Sequence, residues 1–134
     1  EIPLRLVGSE MCIRDRDVMI AETSIGYTTD TLGCTGLVFT QELEKNTGYP
    51  ATEAGQMQFL RDLFETVRSV SGGHGIGVFY WEPAWLPIPA CTWANANGCA
   101  YMNDQVEAGN SMANQALFDR DGNANAALLN LKQM

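Results

Sequence analysis

Two short apolar runs stand out along the chain, and no charge interrupts either. Val18-Met19-Ile20-Ala21 is the first, and it ends in Glu22-Thr23-Ser24. Ile76-Gly77-Val78-Phe79-Tyr80-Trp81 is the second, and Pro83 stops it because proline cannot donate to a strand ladder. Such continuous runs suit parallel strands buried on both faces. Between them, Met57, Leu60, Leu63, Phe64, Val67 and Val70 recur at helical spacing. Arg61, Asp62, Glu65 and Arg68 fall on the other side, so the segment predicts an amphipathic helix. Thr52 is placed to cap its start, and Gly72-Gly73 to end it.

The stretches after the two runs lack periodicity. Residues 26–49 are rich in Thr and Gly, and residues 84 to about 112 are irregular, so both read as long loops. Ala116-Leu117-Phe118, a turn at Asp119-Arg120-Asp121-Gly122 and a short helix from about Ala126 to Lys132 follow. The order strand, loop, helix, strand, loop, helix is a βαβα unit of a parallel sheet, an α/β arrangement. Long loops after the C-terminal ends of strands are where barrels and open α/β folds place active sites.

Residues 1–16 read EIPLRLVGSEMCIRDR. This segment has no clean period and resembles translated sequencing-adapter DNA, so it is set apart from the fold as non-native. The domain is then residues 17–134.

The length of 134 residues bounds the answer further. One modest domain fits, but a complete (β/α)8 barrel needs roughly 250 residues. Net charge is −8 and the pI is near 4.4. An acidic surface disfavours nucleic acid and anionic membranes, and is compatible with a neutral sugar. The four cysteines form no CxxC pair, which speaks against zinc and thioredoxin-like chemistry. Cys91 and Cys99 bracket a loop and could close a disulfide in an oxidising compartment, or remain free thiols beside Cys34.

Glu22 is the first candidate for chemistry. It sits at the end of a buried strand, where barrel enzymes place catalytic groups, and a carboxylate there can attack a sugar anomeric carbon. The alternative is a Glu that caps or salt-bridges a strand end. Trp81-Glu82-Pro83-Ala84-Trp85 ends the other strand and brings two indoles to the same region. Indoles stack on the apolar C–H faces of sugars, although either Trp could equally serve as packing. Glu82 is read as structural. His74 lacks a partner Cys or His and is not read as a ligand. Asp119 to Asn123 resembles the start of a calcium loop, but Ala124 and Asn130 occupy its sixth and twelfth positions, so the match fails.

The blocks VMIAETSIGYT, GYPATEAGQMQFLRDLFETV, GIGVFYWEPAW and GNSMANQALFDRDGNA resemble, in this order, the C-terminal part of glycoside hydrolase family 53. That resemblance implies strands seven and eight, with their helices, of a (β/α)8 TIM barrel. It implies a retaining, secreted endo-β-1,4-galactanase acting on arabinogalactan. The family's nucleophile falls on Glu22 and its cleft tryptophan on Trp81. We group Trp85 and Tyr27 with Trp81 as candidate sugar contacts.

The resemblance also implies gaps. The family's acid/base Glu follows an Asn, and no Asn in this chain is followed by Glu. The first six strands have no counterpart here, so the chain alone is expected to be inactive. No cofactor is required. Bacterial members can hold Ca²⁺ between the loops after strands seven and eight, which would fall on Asp30 and Ser111. The segment TTDTLGCTG lacks a run of acidic oxygen ligands, which speaks against it. Met112 stands where the family would have Trp. Two other readings compete: a barrel glycosidase of different specificity, and a non-catalytic carbohydrate-binding module using Trp81 and Trp85.

Overall fold

The computed structural model describes residues 16–34, 36–87, 96–103 and 112–134. Two strands, β1 (Val18–Thr23) and β2 (Gly75–Tyr80), pair in parallel, as the apolar runs predict. Trp81 lies just past β2 and is tied back to β1 by its backbone N–H, which donates to the Thr23 carbonyl at 2.8 Å.

The helix between the strands is α2, Glu53–Arg68, with α1 (Gln41–Thr47) preceding it. Thr52 caps α2 as predicted, its Oγ1 accepting from Gly55 N at 3.0 Å. The chain leaves α2 through a short 3-10 turn at Ser71–Gly73, where Gly72 and Gly73 both take φ near +75°. A side chain is strained in that region, which is why the predicted glycine stop works.

The predicted apolar face buries Leu60 and Val67, with Met57 and Phe64 partly buried beside them. Leu60, Met57 and Phe64 meet Leu117, Ala127 and Met134 to make the core. A carboxylate adds to this packing. Glu53 Oε2 accepts from Ala126 N at 2.9 Å, at the start of α4 (Ala126–Leu129). An anion suits the unsatisfied N–H groups at a helix start.

Three expectations need correction. The loop predicted over residues 26–49 contains α1, whose residues are all exposed or half-buried and so leave no apolar stripe in the sequence. The irregular stretch predicted after residue 84 contains α3 (Ala96–Met102), whose sequence ANGCAYM has a central Gly and no period. The last helix is shorter than predicted. Asn130 Nδ2 donates to Ala126 O at 2.8 Å, and the chain tightens into a 3-10 turn at Leu131–Gln133.

The strands also differ from expectation in burial. Helix α2 covers one face of the pair. On the other face Met19 is 42% exposed and Phe79 61% exposed. Among the described residues the sheet has only these two strands, so each has one unpaired edge.

Candidate active site

Glu22 owes its position to an irregularity in β1. Ile20 pairs with Val78 and Thr23 with Tyr80, so three steps along β1 match two along β2. The burial of β1 alternates up to Ala21 and then repeats, leaving Ala21 and Glu22 both exposed. An extra residue of this kind re-aims a side chain, and such bulges concentrate beside active sites. Glu22 is thereby turned away from the helix layer and into the open.

Trp81 stands at the adjacent strand end, with 46% of its surface exposed. The Trp81–Thr23 backbone bond fixes the two strand ends side by side, so Glu22 and Trp81 share one rim of the sheet. Trp85 follows in the next turn and is half-buried. Glu82, between them, has φ of +48°. A residue other than Gly pays strain in that region, and such strain clusters at functional sites.

Tyr27, the third candidate sugar contact, follows β1 in the chain. Its ring is half-buried, and its hydroxyl is buried with no hydrogen-bond partner among the described residues. Burial pushes its phenol up to about 12, reinforced by the negative charges of Asp119, Asp30 and Glu53 and opposed by Arg120.

Beneath this rim lies a polar network that the apolar periodicity did not reveal. Gln56 points inward from α2 and is fully buried. Its Nε2 donates to Ala116 O at 2.9 Å, Ile25 O at 3.1 Å and Tyr80 Oη at 3.2 Å. Asn125 Nδ2 donates to its Oε1 at 3.3 Å. The Tyr80 hydroxyl lies 2.7 Å from Gln115 O and 3.1 Å from Ile25 O, and accepts from Ile25 N at 3.2 Å. Ile25, three residues past Glu22, is thus held at both its N–H and its carbonyl. Burial is the main force pushing the Tyr80 phenol up to about 12, against the hydrogen bonds from Ile25 and Gln56.

These two phenols predict alkaline sensitivity. Each gives up its proton near pH 10.0 in an open chain and near 12 in the folded one. The folded state therefore holds protons that the unfolded state releases, so their contribution is intact below pH 10 and lost as pH rises toward 12. Unfolding followed by circular dichroism should coincide with the tyrosinate absorbance rise in that window. Tyrosinate absorbance that is complete by pH 10.5 with the fold intact would contradict it.

Asp30, one of the two candidate calcium positions, is exposed. Asp30 Oδ1 accepts from Leu32 N at 2.9 Å, and the carbonyls of Asp30 and Thr28 accept from Asn114 Nδ2 at 3.3 and 3.2 Å. Ser111 lies outside the described residues. Among the described residues no three His, Cys, Asp or Glu side chains gather into a metal-binding group. Met112 is buried, with Gln115 Nε2 on its sulfur at 3.4 Å, so it packs inside the turn. Cys34 is buried, its sulfur 4.0 Å from Leu32 O. Cys91 and the side chain of Cys99 lie outside the described residues. His74 Nδ1 lies 3.0 Å from Asp17 Oδ1, at the opposite end of the strands from Glu22. No helix among the described residues is long and apolar enough to cross a membrane.

Comparison with known proteins adds to this geometry. Glycosyl hydrolase family 53 matches residues 10–131. An endo-beta-1,4-galactanase of Bacillus subtilis is 35% identical over 128 residues, which cover 80% of this chain and 29% of that protein. An arabinogalactan endo-beta-1,4-galactanase of Cellvibrio japonicus is 33% identical over 89 residues, covering 61% and 23%. Among solved structures, the Ignisphaera aggregans GH53 catalytic domain superposes with a TM-score of 0.69 at 32% identity, covering 85% of this chain and 29% of that one. The chain therefore spans under a third of the length of these relatives.

Proposed function

Because this chain belongs to glycosyl hydrolase family 53, we propose that it forms strands seven and eight, with their helices, of a (β/α)8 galactanase barrel. The complete enzyme hydrolyses internal β-1,4-galactosidic bonds of arabinogalactan with retention of configuration. Glu22 is its nucleophile, and Trp81, with Trp85 beyond it, supports the sugar chain. One observation carries this reading: the register irregularity in β1 turns Glu22 into the open at a strand end beside an exposed indole.

The chemistry follows from two carboxyl groups about 5–5.5 Å apart. The Glu22 carboxylate attacks the anomeric carbon while a second carboxylic acid protonates the leaving oxygen. Water then releases the sugar, with the second group acting as base. That group belongs to the rest of the barrel, so residues 17–134 alone are inactive. No cofactor enters. Such an enzyme works outside the cell, where its polymeric substrate is met.

The test is to join residues 17–134 to the six preceding βα units of a family relative. The completed barrel should release galacto-oligosaccharides from β-1,4-galactan and leave β-1,4-glucan intact. Cleavage of another polymer instead would favour a barrel glycosidase of different specificity. The exposed Trp81 also suits a binding module, which predicts that residues 17–134 alone bind galactan.

A further inference from the structure

The loop that follows Glu22 is shaped from outside itself. Between β1 and α1, residues 24–34 and 36–40 form no strand or helix. Two adjacent side chains from the 3-10 turn Ala113–Gln115, which precedes Ala116, grip this loop instead.

Asn114 is fully buried, and its amide is completely used. Its Nδ2 donates to Phe39 O at 2.9 Å, Thr28 O at 3.2 Å and Asp30 O at 3.3 Å, and its Oδ1 accepts from Phe39 N at 2.9 Å. Its own carbonyl accepts from Tyr27 N at 3.0 Å. One side chain therefore binds both ends of the loop. Gln115 adds two more ties. Its Nε2 donates to Leu37 O at 2.7 Å, and its Oε1 accepts from Ser24 Oγ at 2.9 Å. Ser24 is two residues from Glu22. Packing holds the loop from the other side: a Cβ at Gly26 would collide with the Phe39 ring, so only glycine lets these segments touch.

All but one of these ties go to backbone groups, so they fix the loop's shape whatever side chains it carries. A buried amide costs free energy unless it is paired, and here the pairing is spent on a segment with no regular structure of its own. We propose that Asn114-Gln115 is a positioning pair for galactan hydrolysis, setting the loop so that Glu22 meets the anomeric carbon at the correct angle. This rests on the galactanase reading above. Gln115 acts through Ser24 on the orientation of Glu22, and Asn114 acts on Tyr27 and the rest of the loop.

The test uses the completed barrel and a 2-deoxy-2-fluoro galactosyl fluoride, which traps the nucleophile as a covalent ester that mass spectrometry can locate. Gln115→Leu should slow labelling of Glu22 and lower kcat by up to ~100-fold, with KM changed less than ~3-fold, because small misplacements cost that much. Ser24→Thr keeps a hydroxyl for Gln115 Oε1 and should label Glu22 near the parent rate. Ser24→Ala removes a single tie, retains the fold if Gln115→Leu does not, and should slow labelling ~10-fold. Folded Ser24→Ala and Gln115→Leu barrels that label Glu22 at the parent rate would overturn the positioning role alone. Label on a residue other than Glu22 in the parent barrel would overturn the nucleophile assignment and this inference with it.

Discussion

Glu22→Gln in the completed barrel should lower kcat on β-1,4-galactan on the order of 10⁴-fold or more, while galactan affinity stays within ~3-fold. The amide has the shape of the carboxylate but lacks the charge that attacks the anomeric carbon. Binding survives because Trp81 and its neighbours supply the stacking surface. The measurement is a steady-state assay of reducing ends paired with calorimetric titration of galacto-oligosaccharide. Lost turnover with binding intact would end the module reading, in which Glu22 has no chemical task. Retained turnover would remove Glu22 from the nucleophile position.

Gln56→Leu should destabilise the completed barrel by roughly 3 kcal/mol, read from the urea unfolding midpoint. The substitution conserves volume and increases apolarity, so a purely hydrophobic account predicts little change or a gain. The opposite is expected because Ile25 O, Ala116 O and Asn125 Nδ2 each lose a buried hydrogen bond, keeping only those from Tyr80 Oη to Ile25 O and from Asn125 Nδ2 to Ala116 O. Each buried hydrogen bond lost costs about 0.5–1.5 kcal/mol, and the Tyr80 hydroxyl loses one more donor. Gln58→Leu is the control. Gln58 is exposed on the same helix and bonds only Asp62 among the described residues, so its loss should change stability by under ~0.5 kcal/mol. Equal effects at the two positions would show that the buried network contributes nothing.

These two predictions draw on different layers of legibility. The strands, the α2 face and the Thr52 cap were readable because burial repeats at fixed spacing and capping needs a hydroxyl at one position. Glu22 was readable as a carboxylate at a strand end. Its exposure was not, because a continuous apolar run carries no mark of where one residue slips its register. Gln56 sits at a helix position that periodicity reserves for an apolar side chain, and only the fold shows three backbone or hydroxyl acceptors waiting there. Asn114 and Gln115 lie between the irregular stretch and Ala116 and carry no sequence signal, since a staple acting on distant carbonyls leaves no local pattern. Helix α1 went unseen for the reverse reason, since a helix with no buried residue has no stripe. Its Thr40 cap, with Oγ1 accepting from Leu43 N, and Gly48 at φ +76° are nevertheless standard end signals.

The bare face of the β1–β2 pair has a practical corollary for handling this polypeptide alone. Met19, Phe79 and Trp81 lie open to water beside strand edges that have no neighbour among the described residues. Two such surfaces satisfy one another, and unguarded edges template further pairing. Loss from solution should then scale with encounters between molecules. Dilution would protect the polypeptide more than cooling, since hydrophobic attraction weakens only gradually in the cold. Its shelf life would be set by concentration before temperature.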